Sequence, residues 1–168
     1  MEAGVDKILD IFTFLNVEYE TLEHDKQRDY IWDGKVLRMY KTDSLLLWAH
    51  ELGHHMACPP ERIQEPEYGL GDTPFSTRKK PTTTMTRKET DIEEVEVDFI
   101  CVSVIYSLCL PYWKNINMSF YTIASFHEDM WNRRGTKFFR ADGIPSVVFD
   151  AKHLWPNLEP RKATREME

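Results

Sequence analysis

Two histidines four residues apart, with a glutamate after the first, give His50-Glu51-Leu52-Gly53-His54 the pattern H-E-x-x-H. On a helix, positions four apart share a face, so His50 and His54 can turn their imidazole nitrogens toward one ion. Glu51 stands one position on, beside that face, where its carboxylate can reach a water held by the ion. Two neutral imidazoles, a general base and an open coordination position are what a zinc hydrolase needs. The surrounding segment from Ser44 to Met56 is apolar and helix-forming. Asp43 or Ser44 can cap its start, and Pro59-Pro60 stops it. His55 points to a different face and reads as a structural or supporting residue.

A catalytic zinc needs a third protein ligand. The extended form H-E-x-x-H-x-x-G-x-x-H would place Gly at 57 and His at 60, but the chain has Ala57 and Pro60. A carboxylate from a later segment is the remaining common solution. Glu61, Glu65, Glu67 and Asp72 follow in a loop, and Glu93, Glu94, Glu96 and Asp98 lie at the head of the next helix. Ligands on regular elements are held more tightly than ligands on loops, which favours the second group. Glu94 and Asp98 share a face four residues apart. Glu94 can ligate while Asp98 accepts the second ring N–H of a ligating histidine. Glu93 and Glu96 remain as alternatives, because one position on a helix decides which carboxylate faces the ion.

The elements that must position these groups follow from periodicity. Val5, Ile8, Leu9, Phe12 and Leu15 predict an amphipathic helix over about 4–15. Residues 17–22 alternate as a strand does, and Asp33-Gly34 predicts a hairpin between Asp29–Trp32 and Lys35–Tyr40. The motif helix is expected at about 43–57. The reading is therefore a helix, a small antiparallel sheet and then the site helix. Residues 59–91 are rich in Pro and Thr and lack lasting periodicity, so they predict a long loop. Its Arg78-Lys79-Lys80 and Arg87-Lys88 form a local basic patch that is either a solvated face or a recognition segment. From Asp91 an apolar stripe of Val97, Ile100, Cys101, Val104, Ile105 and Leu108 predicts a second wall for the core, ending near Pro111. A further helix is expected over 118–131 and a short buried segment at 144–149.

At 168 residues with 42% hydrophobic side chains, the chain supports one domain, read as 1–156 with a loose charged tail at 157–168. No apolar run is long enough to span a membrane, and the N-terminus carries no basic-then-apolar secretion pattern. Cys58, Cys101 and Cys109 are odd in number and form no C-x-x-C, which predicts reduced thiols in a cytoplasmic setting. A net charge of −7, with no basic helix face, argues against direct nucleic-acid binding.

The hairpin running into Trp48-Ala49-His50-Glu51-Leu52-Gly53-His54-His55, with the later Glu94-Val95-Glu96-Val97-Asp98-Phe99-Ile100-Cys101, resembles the ImmA/IrrE family of zinc-metallopeptidase-like proteins. The likeness covers about residues 1–110. The second segment looks like that family's E-x-E-A-[ND]-x-F-A signature, with Val97, Ile100 and Cys101 as departures and Ser107 where Pro is usual. The resemblance implies a gluzincin-like, zincin-type α+β fold with Glu94 as the third zinc ligand. It also implies a regulatory role in which a helix-turn-helix repressor of a phage or mobile element is the protein substrate. The expected function is a zinc-dependent endopeptidase with Zn²⁺ on His50, His54 and Glu94 and with Glu51 as base. The competing reading is a catalytically silent, zinc-containing module that sequesters a regulator. A donor to the oxyanion is also expected, with Tyr106, Tyr121, His127 and His153 as candidates.

Overall fold

A computed structural model of the chain describes residues 1, 3–71 and 85–108. Helix α1 spans Val5–Phe14, strand β1 Glu18–Leu22, strand β2 Val36–Tyr40, helix α2 Leu45–Ala57 and helix α3 Arg87–Leu108, with a short 3₁₀ turn at Pro66–Gly69. The expected helix over 118–131, the segment at 144–149 and the tail at 157–168 lie outside the described residues.

Helix α1 buries Val5, Ile8, Leu9, Ile11 and Phe12. That stripe packs on α2, where Phe12 meets Trp48 with ring centroids 6.4 Å apart. Trp48 is fully buried and also takes Tyr19 of β1 edge-on at 6.2 Å, so one indole joins helix, strand and site helix. Burying a side chain of that size contributes on the order of 2–3 kcal/mol. Ser44 is the N-cap of α2 and accepts a hydrogen bond from Leu47 N at 3.1 Å. Asp43 turns elsewhere, accepting from Tyr40 N at 2.7 Å and pairing with Arg28 at 2.9 Å. At the far end Cys58 adopts an extended conformation ahead of Pro59, as a residue before proline prefers, and α2 stops.

The sheet corrects the sequence-based expectation. β1 and β2 pair in parallel, Glu18 opposite Val36 through Leu22 opposite Tyr40. The connection between them reverses direction twice. A first turn closes with Lys26 N donating to Glu23 O, and a second is built on Asp33, whose carboxylate accepts from Lys35 N and Val36 N. Two reversals leave the second strand pointing the same way as the first. The expected hairpin at Asp33-Gly34 is present but short: Trp32 bridges Leu37 antiparallel on the opposite edge of β2, with Arg38 N donating to Ile31 O at 2.7 Å and Asp33 N to Val36 O at 3.3 Å. Alternation of apolar residues identifies a strand but does not reveal its direction.

Helix α3 begins at Arg87, four residues before the periodic stripe, because Thr86 and Glu89 form a reciprocal cap. Glu89 N donates to Thr86 Oγ1 at 3.2 Å, and Thr86 N donates to Glu89 Oε1 at 3.1 Å. This is the T-x-x-E capping box. Arg87 and Lys88 are exposed in its first turn, while Arg78-Lys79-Lys80 lie outside the described residues. Helices α2 and α3 form the principal helix pair. They approach closely at Gly53, where a Cβ would sit 2.8 Å from Val97 O and 3.0 Å from Val97 Cγ1. Only glycine allows that approach without moving a backbone. Val97, Cys101, Val104 and Ile105 complete the core on the α3 side. Among the described residues, no helix is long and apolar enough to cross a membrane.

Candidate metal centre

Helix α2 presents His50 and His54 one turn apart, and α3 brings Glu94 across from them. His50 Nε2 lies 3.1 Å from His54 Nε2. Glu94 Oε2 lies 3.4 Å from His50 Nε2 and 3.5 Å from His54 Nε2. Bonds of about 2.0–2.2 Å in a tetrahedron put neighbouring ligand atoms roughly 3.3–3.5 Å apart. The two Glu94 separations match that spacing and the His50–His54 separation is a little shorter, so the three atoms can surround one small ion.

The donor chemistry fits as well. His50 Nδ1 lies 3.2 Å from Asp98 Oδ1. A carboxylate only accepts, so Nδ1 carries the proton and Nε2 offers its lone pair to the shared point. Glu51, Glu94 and Asp98 are all buried, and buried carboxylates need compensating positive charge. Burial pushes the His50 imidazole toward neutrality, but the Asp98 and Glu94 carboxylates outweigh it and raise its pKa well above the usual value. Burial likewise opposes the charge on Glu94, yet His54 and His50 hold it well below the usual carboxylate range. The cluster attracts a cation, with a proton on imidazole as the alternative to a metal.

Glu51 also reaches the cluster, and one of its oxygens lies within 4.8 Å of the His50 and His54 ligand atoms, close enough for the three to hold an ion. Its Oε2 accepts from the Tyr68 hydroxyl at 3.0 Å. Burial raises its pKa, against the pull of His54 and His50, which suits a group that must gain and release a proton.

The other acidic candidates are placed elsewhere. Glu93 pairs with Arg62, and Glu96 lines a surface hollow with Ala57, Glu89 and Ile92. Glu67 accepts from Ile31 N at 2.6 Å, and Glu61 and Glu65 are exposed. Asp72 lies outside the described residues. His55 is packed edge-on against Trp32 at 4.5 Å and Tyr68 at 5.1 Å, and burial pushes its pKa down to about 3. It is a histidine packed among aromatic rings and stands outside the His50, Glu51 and His54 group. Tyr121, His127 and His153 fall outside the described residues, and of Tyr106 only the backbone is described.

The sequence-based site lacks Tyr68. This residue sits in the 3₁₀ turn with φ +60°, after Glu67 at φ +50° and before Gly69 at φ +67°. Two successive left-handed non-glycine residues cost on the order of 1 kcal/mol each. They persist because their surroundings fix them: Glu67 N donates to Trp32 O at 2.7 Å, and Arg62 Nη1 donates to Tyr68 O at 2.7 Å. The sequence signal is faint, an aromatic before a glycine in an aperiodic stretch. No family model, curated protein or solved structure matches the chain.

Proposed function

We propose that the chain is a zinc-dependent endopeptidase acting on one or few protein substrates. The ImmA/IrrE resemblance extends this proposal to a helix-turn-helix repressor as substrate and to a cytoplasmic setting. One observation supports it above the others: His50 Nε2, His54 Nε2 and Glu94 Oε2 converge within 3.5 Å of one another, beside a buried Glu51. His50, His54 and Glu94 would hold the zinc. A bound zinc ion supplies Lewis acidity and lowers the pKa of a coordinated water toward about 7.

The protein's own groups do the rest. Asp98 keeps His50 in the tautomer that ligates through Nε2. Glu51 takes the proton from the water that attacks the scissile carbonyl, then gives it to the departing amine. The alternative of a silent binding module predicts no dependence on Glu51. The test is cleavage of a helix-turn-helix regulator by wild type and Glu51→Gln at equal zinc content. The proposal expects a loss of at least about 100-fold in Glu51→Gln, and equal rates in the two proteins would overturn it.

A further inference from the structure

The two histidines of the site are secured in different ways. His50 is tied through Nδ1 to Asp98. His54 Nδ1 is buried and has no hydrogen-bond partner among the described residues. The plane of the His54 ring is instead set by stacking. Tyr68 lies against it with an interplanar angle of 16° and ring centroids 4.7 Å apart. Trp32 in turn stacks on Tyr68, nearly parallel at 10° with centroids 5.9 Å apart. The hydroxyl of the same tyrosine donates to Glu51 Oε2 at 3.0 Å. One residue therefore touches both a prospective ligand and the prospective base.

The segment that presents Tyr68 is fastened on two sides. Glu67 accepts from Ile31 N at 2.6 Å, Trp32 Nε1 donates to Ile63 O at 2.7 Å, and Arg62 joins the Tyr68 carbonyl to Glu93 of α3. Gly71 N donates to Thr90 Oγ1 at 2.9 Å, fixing the end of the strap to the same helix. Hairpin, strap and α3 together hold one aromatic ring against His54. Left-handed backbone at Glu67 and Tyr68 is held in place by these contacts rather than favoured by the residue types.

We propose that Tyr68 is a positioning residue with two separable roles: its ring face fixes the orientation of His54 for ligation, and its hydroxyl fixes the Glu51 carboxylate. With Oε2 engaged by the hydroxyl, Glu51 is left with its other oxygen to accept a proton from the attacking water. The ring orients His54 by stacking, whereas Asp98 holds His50 by a hydrogen bond. This inference rests on the zinc-peptidase reading.

Its test uses the full chain with zinc alone, and then with acetohydroxamate as a probe on the cobalt-substituted protein. A hydroxamate chelates the ion and passes its N–OH proton to the neighbouring carboxylate, so its affinity reports how well Glu51 is placed. Tyr68→Phe keeps the ring and removes the hydroxyl. It is expected to bind zinc within about twofold of wild type, while acetohydroxamate weakens about 10-fold, the size of one hydrogen bond to a charged acceptor. Tyr68→Leu removes the ring as well and is expected to lose about 10- to 100-fold in zinc affinity, as loss of a ligand's support does elsewhere. General loosening of the fold would lower both affinities in Tyr68→Phe, so the split between them marks the hydroxyl's role. Unchanged acetohydroxamate affinity in Tyr68→Phe overturns the proposal, as does undiminished zinc affinity in a folded Tyr68→Leu. If Tyr68→Leu does not fold, the Tyr68→Phe comparison decides alone. A wild-type chain that binds no zinc removes the underlying reading, an outcome distinct from either of these.

Discussion

Substituting Gly53 by alanine separates the proposed metal site from the stability of the fold. The new Cβ would stand 2.8 Å from Val97 O, a backbone atom of α3 that cannot rotate aside. Close C–H···O approaches are about 3.3–3.6 Å, so the helices must part by roughly half an ångström. Two effects on stability oppose each other. Alanine in place of glycine gains about 1 kcal/mol of helix propensity, and overpacking costs about 1–3 kcal/mol. The net loss is therefore between about zero and 2 kcal/mol. The proposed zinc site has no such compensation. Glu94 lies one turn before Val97 on the helix that is pushed away, and metal sites tolerate ligand displacements of only about 0.2 Å. Zinc affinity is expected to fall about 10- to 100-fold. Thermal melting of the metal-free protein and competition of zinc against a chelating dye read the two quantities separately. Zinc affinity within twofold of wild type would refute the close packing of α2 on α3 as the feature that holds Glu94 in place.

Two further perturbations test the surroundings of the site. Asp98→Asn replaces a charged acceptor for His50 Nδ1 with a neutral one of the same shape and is expected to weaken zinc about 10- to 100-fold, measured by the same competition. His55 has its pKa lowered from 6.5 to about 3 by burial. Between those values the unfolded chain binds a proton that the folded chain refuses, so this contribution is present above about pH 6.5 and is lost as the pH falls. From pH 7 to pH 5 the loss amounts to about 2 kcal/mol. His55→Phe, which suits a site lined by Phe12, Trp32 and Tyr68, should lose about that much less over the same range. Urea denaturation of the metal-free proteins at the two pH values gives the comparison, and parallel losses would count against the buried neutral imidazole.

Much of the site's geometry follows from spacing alone. The i, i+4 histidines must share a face of any helix that contains them, and Glu94 and Asp98 follow the same rule on α3, where they reach His50 from one side. Helix α1 and the site helix follow from their apolar periods. The start of α3 is also written in the chain, in Thr86 and Glu89, although the apolar stripe begins later. Other features depend on contacts between segments far apart in sequence. The parallel pairing of β1 with β2 arises from two turns, and strand alternation is the same for either direction. Tyr68 is positioned by Trp32, Arg62 and Glu67 acting through tertiary hydrogen bonds, none of which has a local period to betray it. Gly53 reads as one of two unspecified positions inside H-E-x-x-H, and only the packing of α3 reveals why a side chain does not fit there.

Metal content is the most direct test of the central claim that His50, His54 and Glu94 hold one zinc ion while Glu51 serves as base. Wild type, Glu51→Gln, His54→Ala and Glu94→Ala would be purified with zinc supplied and their bound metal measured by elemental analysis. The account predicts about one zinc per chain in wild type and Glu51→Gln, with loss in His54→Ala and Glu94→Ala, as a site of two imidazoles and one carboxylate requires. Retention of zinc by Glu94→Ala, or its absence from wild type, would contradict it.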